Sequence, residues 1–425
     1  MRRYLYFFIS FFSFIGYYVG LELIISIGMI TLSRFYTIPL RLLLTIVMIF
    51  LILKLRAKLP SSKQLFLVLF WFFWIFYFMA IIRALADSSI EYYKSPAEIF
   101  LYAIVYCVIP FIFFTLDMDD RARNTYKNGL IASGFLLAIF TYQLYGSLVA
   151  HGVSRIDMAK YTMGRDFVSI SPLALSYASS MIVAICLYYI LFTKPAGKIK
   201  IYYGLTAILS MIPFFLGASR GSVIALTFSL GFIVFYQKSL KVKIWGIVFL
   251  LIVGAAVVYF ANYFGSGVIS RLLSLMDDVE SGNSSASRLN YWQGAWAQFL
   301  KSPVWGDSIQ SDIPPYPHNI FLEVLMSVGI LGFIPFFGLL WLGFKRSIEI
   351  VRYQKQHVWM VIIFIQGLMQ SLFSGSVNYA IFYWAGLGLV FSVKKNRGIH
   401  DNTAQTNQME GTPQEQRLAK CDEPH

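Results

Sequence analysis

Runs of about 20 apolar residues recur along this 425-residue chain, separated by short connections that hold much of its charge. A helix needs about 20 predominantly apolar residues to cross the hydrocarbon core of a bilayer, so these runs constrain the fold more than any other feature. Charged residues make up 13% of the chain, against roughly 25% in soluble proteins, too few to cover a globule of this length. With 58% hydrophobic residues and a mean hydropathy of +0.65, the expected fold class is an all-α polytopic membrane protein. Cys107, Cys186 and Cys421 fall in two apolar runs and the polar tail, a distribution without disulfide or zinc spacing.

Twelve candidate spans follow, at about 4–31, 36–53, 64–82, 98–115, 129–149, 171–192, 201–217, 222–236, 244–262, 319–344, 357–373 and 378–393. The first follows Arg2 and Arg3 but is too long for a signal peptide and lacks a small-residue cleavage site. If the N-terminus is cytoplasmic, every cytoplasmic connection carries at least three basic residues, for example Lys238, Lys241 and Lys243. That agreement with the positive-inside rule places both ends in the cytoplasm. The net charge of +14 is thus spread between apolar runs and forms no stripe for nucleic acid.

The opposite side has a different chemistry. Its basic residues are eight arginines (Arg34, Arg41, Arg83, Arg155, Arg165, Arg220, Arg271 and Arg288) and three lysines (Lys94, Lys160 and Lys301). Orientation needs positive charge of either kind, whereas arginine offers a planar fork that grips phosphate oxygens. Arginine at headgroup level is the alternative use.

Three outer features stand out. Gly217-Ala218-Ser219-Arg220-Gly221-Ser222 joins two short apolar runs, so its turn is expected to dip below the membrane surface and carry Arg220 toward a cavity or a partner such as Glu22. The longest connection, about 263–318, contains a helix pattern in Leu289, Trp292, Trp296, Phe299 and Leu300, with Ser284, Ser285 and Ser287 as candidate caps. Such a helix suits the bilayer interface, and Arg288 in its first turn makes either an anion site or an ion pair with Asp277 or Asp278. Third, Pro314-Pro315-Tyr316-Pro317-His318-Asn319 leads into an apolar helix, its prolines restricting how His318 is presented. A histidine there can take a proton from a hydroxyl at neutral pH, although a polar cap is the commoner use.

Ser219-Arg220-Gly221, Arg288 with Trp292 before Pro303 to Gly306, and Pro317-His318-Asn319-Ile320-Phe321-Leu322-Glu323 followed by Gly329-Ile330-Leu331-Gly332 together resemble the O-antigen ligase/polymerase superfamily of bacterial envelope enzymes. The resemblance covers about Phe215 to Gly332. It implies a C-type glycosyltransferase-like fold of about 12 transmembrane helices with a large periplasmic loop containing short helices. It further implies a glycan donor linked to undecaprenyl diphosphate, an acceptor glycan, an inner-membrane location with a periplasmic site, and metal-independent transfer without a cofactor. By motif, Arg220 and Arg288 bind the donor diphosphate, His318 is the base or orienting group, and Ser219 and Asn319 are possible substrate contacts. A regulator of chain length is an expected partner for a polymerase.

The chemistry is physically coherent. Negative charge collects on the departing lipid diphosphate, where fixed guanidinium groups stabilise it more in the transition state than in the ground state. In-line displacement inverts the anomeric centre. Gln366 and Gln370, four residues apart on a late span, either line the cavity or hydrogen-bond between helices.

Asp117-Met118-Asp119 has the spacing of a metal-binding nucleotide-sugar site, but the topology puts it in the cytoplasm, where it reads as a solvated loop. The membrane domain is expected over 1–397 and a disordered tail over 398–425. Repeat-unit polymerisation is the favoured reaction, because the outer loop is modest in length and the composition is rich in Phe, Ile, Tyr and Lys. Ligation to a lipid A core is the first alternative. A flippase for lipid-linked glycans is the second, disfavoured because no repeated halves are evident.

Overall fold

The computed structural model describes residues 2–29, 32–55, 64–87, 92–150, 170–193, 195–263, 284–310 and 316–394. The chain divides into two units, Met1–Ser392 and Val393–His425. Regular structure among the described residues is helical: α1 (Arg2–Phe14), α2 (Gly16–Ser26), α3 (Ser33–Leu55), α4 (Gln64–Ala86), α5 (Pro96–Tyr102), α6 (Ile109–Thr115), α7 (Asp120–Ala150), α8 (Pro172–Phe192), α9 (Gly197–Gly217), α10 (Arg220–Phe235), α11 (Leu240–Tyr263), α12 (Ser284–Lys301), α13 (Ile320–Tyr353), α14 (Val358–Phe373) and α15 (Ile381–Ser392). A π-helical turn, Ala103–Val108, joins α5 to α6.

Nine helical segments among the described residues are long and apolar enough to cross a bilayer, and ten if the bent pair α1–α2 counts as one span. This falls short of the twelve expected, for reasons of geometry. The α1–α2 pair turns through 72°. Helices α10 and α15 have only 16 and 12 residues, about 24 and 18 Å at 1.5 Å per residue, against a hydrocarbon core of roughly 30 Å. Both short helices begin next to irregular backbone, which is tolerated at membrane depth only where protein or a cavity surrounds it.

The most enclosed spans are α8 and the segment containing α14. Helix α8 packs on α7, α9, α10 and α14, while α3 and α11 turn large apolar side chains such as Ile38, Leu42, Trp245 and Leu251 outward. Polar side chains tie the centre together. Gln366 on α14 accepts from Ser180 Oγ of α8 at 2.8 Å and donates to Ser229 Oγ of α10 at 3.1 Å, so it bonds between helices, and with Gln370 it also lines a small cavity. Asp119 accepts from the Ala122 N–H at 2.7 Å, capping α7.

Helix α13 contains a break that positions the functional end of the protein. At Gly329 φ is 60° and ψ is −164°, so the element comprises helical pieces at 320–328 and 330–353. The freed backbone groups find new partners. The N–H groups of Ile330 and Leu331 bond to the carbonyls of Pro303 (2.9 Å) and Val304 (3.2 Å), and the Met326 carbonyl accepts from the Asp307 N–H at 2.7 Å. Arg83 completes the exchange from α4: Nη1 donates to the Gly306 carbonyl at 3.1 Å, and Nη2 to those of Trp305 (3.0 Å) and Ser327 (3.3 Å). Glycine is required on both sides, since a Cβ at Gly329 would lie 2.4 Å from the Val304 oxygen and one at Gly306, where φ is 77°, 2.3 Å from the Ser327 carbonyl carbon. Of the outer arginines read as phosphate ligands, Arg83 is therefore committed to backbone. Arg83→Ala removes those three bonds and is expected to cost about 1–3 kcal/mol, read as a lower thermal midpoint of the purified protein.

Candidate active site

The turn between α9 and α10 is held in an uncommon conformation. Ala218, fully buried, caps α9 with φ 40° and ψ 50°, a left-handed geometry that non-glycine residues seldom adopt. Its N–H bonds to the Phe215 carbonyl at 3.1 Å. Ser219 then takes the N-cap position and Arg220 opens α10. The guanidinium thus arises at a helix N-terminus, where free N–H groups and the helix dipole favour an anion. At Gly221 a Cβ would stand 1.9 Å from the Tyr177 hydroxyl, so the absence of a side chain lets α8 approach this turn.

Helix α12 supplies Arg288. Its inner face, Ala295, Phe299 and the buried Gln298, packs toward Met326 of α13 and the 308–310 segment, with Gln298 Nε2 donating to the Gln310 carbonyl at 3.0 Å. Leu289, Trp296 and Leu300 face outward. The apolar pattern therefore divides between a protein-facing and an outward stripe, the latter as an interfacial helix requires. The side chains of Ser284, Ser285 and Ser287, and residues Asp277 and Asp278, lie outside the described residues.

His318 is the second left-handed non-glycine residue among the described residues, with φ 55°. The indole of Trp292 fixes the preceding residue by donating to the Pro317 carbonyl at 3.1 Å. On the other side Asn319 caps α13, its Oδ1 accepting from the N–H groups of Phe321 (3.0 Å) and Leu322 (3.3 Å). Asn319 Oδ1 is thereby committed to the helix. The imidazole packs between Tyr316, at 4.4 Å between ring centroids, and Tyr291, at 6.2 Å. Its Nδ1 is buried without a hydrogen-bond partner. That both left-handed residues occur in the motif segments is consistent with strain concentrated at functional sites.

Arg288 links the other two groups. Partial burial lowers its pKa, and the nearby positive charge of Arg220 acts in the same direction. Burial likewise lowers the pKa of His318 below the ordinary 6.5, with the Arg288 charge adding to the effect and the Ser374 backbone opposing it. Three residues 30 to 98 positions apart in the chain thus share one electrostatic environment. Glu22 takes no part: it sits in the core and accepts from Thr141 Oγ1 at 2.6 Å, so the postulated Arg220–Glu22 pair gives way to a link between α2 and α7.

Several residues of the site carry no signal in a single sequence. The Tyr177 hydroxyl on α8 lies beside the Ser219 and Ser374 side chains and within the field of Arg288. The turn bearing Ser374 is anchored by Glu323, which is buried, accepts from Ser376 Oγ, and accepts from the Val377 N–H at 3.1 Å. Tyr379 from the same turn meets Tyr316, with ring centroids 5.8 Å apart. Burial raises the pKa of both phenols. They therefore remain neutral hydrogen-bonding groups beside the imidazole.

A polytopic helical membrane protein with two arginines and an unpartnered imidazole nitrogen grouped at irregular ends of its helices defines a class: a multi-pass membrane protein with a site suited to an anionic ligand. Residues 205–337 match the family described as O-antigen ligase, and this shows the resemblance to the O-antigen ligase/polymerase superfamily. The matched segment includes Arg220 and Arg288 and ends beyond His318 and Gly332. It supports glycan transfer of the O-antigen ligase/polymerase type by a glycosyltransferase-like enzyme. No curated protein matches the chain significantly.

Proposed function

We propose that this protein polymerises lipid-linked glycan repeat units at the periplasmic face of the bacterial inner membrane, with both termini in the cytoplasm. The observation that carries the reading is the meeting of α12 with the His318 turn: Tyr291, three residues after Arg288, lies 6.2 Å from the imidazole and Trp292 bonds to the Pro317 carbonyl, which brings the Arg288 charge to bear on His318. A diphosphate between the two guanidinium groups relieves their mutual repulsion, and its leaving-group charge is stabilised most as the glycosidic bond breaks.

The bond from the donor's anomeric carbon to the diphosphate oxygen breaks while a bond to the acceptor hydroxyl oxygen forms on the opposite face, inverting the centre. The acceptor proton passes to the His318 imidazole. The undecaprenyl diphosphate departs with its electron pair on a phosphate oxygen held by Arg220 and Arg288. These fixed cations supply the charge stabilisation that a metal supplies in other transferases, so EDTA is expected to leave the rate unchanged. Ser219 and Tyr177 are the side chains we assign to contact the donor head. A chain-length regulator is the partner this reaction calls for.

Purified full-length protein supplied only with undecaprenyl-diphosphate-linked repeat units is expected to lengthen them, read as a ladder of products. Product formed only after a lipid A core is added would assign ligation in place of polymerisation.

A further inference from the structure

Arg41 lies outside the site described above and is placed where a charge is least expected. It is nine residues into α3, about 12 Å from the helix start at 1.5 Å per residue, within a segment that qualifies as a membrane span. Its guanidinium carbon lies 4.6 Å from the ring centroid of Tyr17 and 4.7 Å from that of Tyr106. Among the described residues it forms no ion pair and donates no hydrogen bond to a protein acceptor. With tyrosines on its faces, the edge of the fork, where the N–H groups point, is the part left for a ligand.

The backbone around it departs from regular helix on two sides. Tyr17 and Tyr18 come from the first turn of α2, just after the 72° bend. Tyr106 comes from the π-helical turn Ala103–Val108, a form that is rare and frequent at functional sites. Tyr17, Tyr18, Thr45 and Tyr106 line a cavity of about 80 Å³ with Arg41, and Phe382 of α15 is part of the apolar remainder of its wall. Phe382 also lines a second, smaller cavity with Tyr177, Gln366 and Gln370, and Tyr177 is the residue beside Ser219 and Arg288. One aromatic ring therefore borders both the Arg41 cavity and the cavity beneath the proposed diphosphate site. A half-buried arginine within a span ordinarily faces a partner or a polar ligand, and here the protein supplies tyrosine rings and space.

We propose that Arg41 and its tyrosine-lined cavity form a second anion site, which holds the phosphate head of a second polyprenyl-linked glycan, the acceptor, while Arg220 and Arg288 hold the donor. The identity of the ligand as acceptor rests on the glycan-transfer reading, whereas the existence of a second lipid-phosphate site does not. The chemistry recognised is a phosphate or diphosphate ester at the membrane, for which polyprenyl lipids and bulk phospholipids are competing sources. A bidentate fork between two aromatic rings favours the more highly charged diphosphate. Two lipid anchors held at once are what a polymerase needs, since both its substrates are lipid-linked.

The test is native mass spectrometry of the purified full-length protein with undecaprenyl diphosphate as the probe, with phosphatidylglycerol in a parallel arm. Wild type is expected to bind two undecaprenyl diphosphate molecules, Arg41→Ala one and Arg288→Ala one, with phosphatidylglycerol at equal concentration displacing neither. Arg41→Lys keeps the charge without the fork and is expected to weaken the second binding event about tenfold, a readout that holds if the alanine variant fails to fold. Two molecules bound to a folded Arg41→Ala protein, unchanged affinity in Arg41→Lys, or displacement by phosphatidylglycerol would each overturn the inference. One molecule on Arg41→Ala together with two on Arg288→Ala would uphold the Arg41 site and sink the donor assignment instead.

Discussion

Arg288→Ala is expected to lower kcat by about 10³-fold or more, the range seen when a cation that stabilises a departing or transferring phosphate is removed. The size of the effect follows from where Arg288 sits. Its guanidinium is half-buried and shares its surroundings with Arg220, so solvent screens it less than a surface charge. Because charge on the diphosphate grows as the glycosidic bond breaks, kcat is expected to fall by this factor in addition to the weakened donor binding. Arg288→Lys is expected to recover only part of the rate, since an ammonium lacks the bidentate fork. Full activity in Arg288→Ala, with the protein folded in the membrane, would remove the diphosphate clamp from the mechanism.

The second large effect is expected at His318. His318→Ala should reduce kcat by about 10²–10⁴-fold, the usual contribution of a positioned acid–base group, with donor affinity little changed. The pH dependence is more diagnostic. Burial and the Arg288 charge hold the imidazole below its ordinary value of 6.5, so its neutral, proton-accepting form predominates at neutral pH. Activity governed by His318 is therefore fully present above that lowered pKa and is lost as pH falls through it, which puts the acid limb of kcat/KM below pH 6.5. Removing the Arg288 charge takes away one of the two causes. The residual activity of Arg288→Gln should accordingly show an acid limb displaced upward toward 6.5, and an unmoved limb would mean that the two groups act in different places.

Much of this site was legible in the sequence, and the boundary of what was legible has a physical basis. Ser219-Arg220-Gly221 and Pro317-His318-Asn319 combine residues with sharp local preferences, so the turns they make and the side chains they present can be read without a partner. Arg288 was legible through the periodicity of its helix. Contacts made across the fold were not. Arg83 is an outer-face arginine like Arg288, but it donates to the carbonyls of Trp305, Gly306 and Ser327, an arrangement set by the break of α13 at Gly329. Tyr177 and Ser374 belong to apolar or unremarkable segments, and only packing brings them to Ser219 and His318. The apolar runs located the spans, yet run length could not foresee the bend in α1–α2 or the shortness of α10 and α15.

The central claim is that Arg220 and Arg288 grip one diphosphate, and a double-mutant cycle on kcat/KM for donor turnover tests it most directly. Two residues that stabilise the same leaving group are coupled, so the Arg220→Ala/Arg288→Ala protein is expected to be scarcely slower than the worse of the single variants. Losses that multiply independently, as for arginines serving separate sites, would contradict the account.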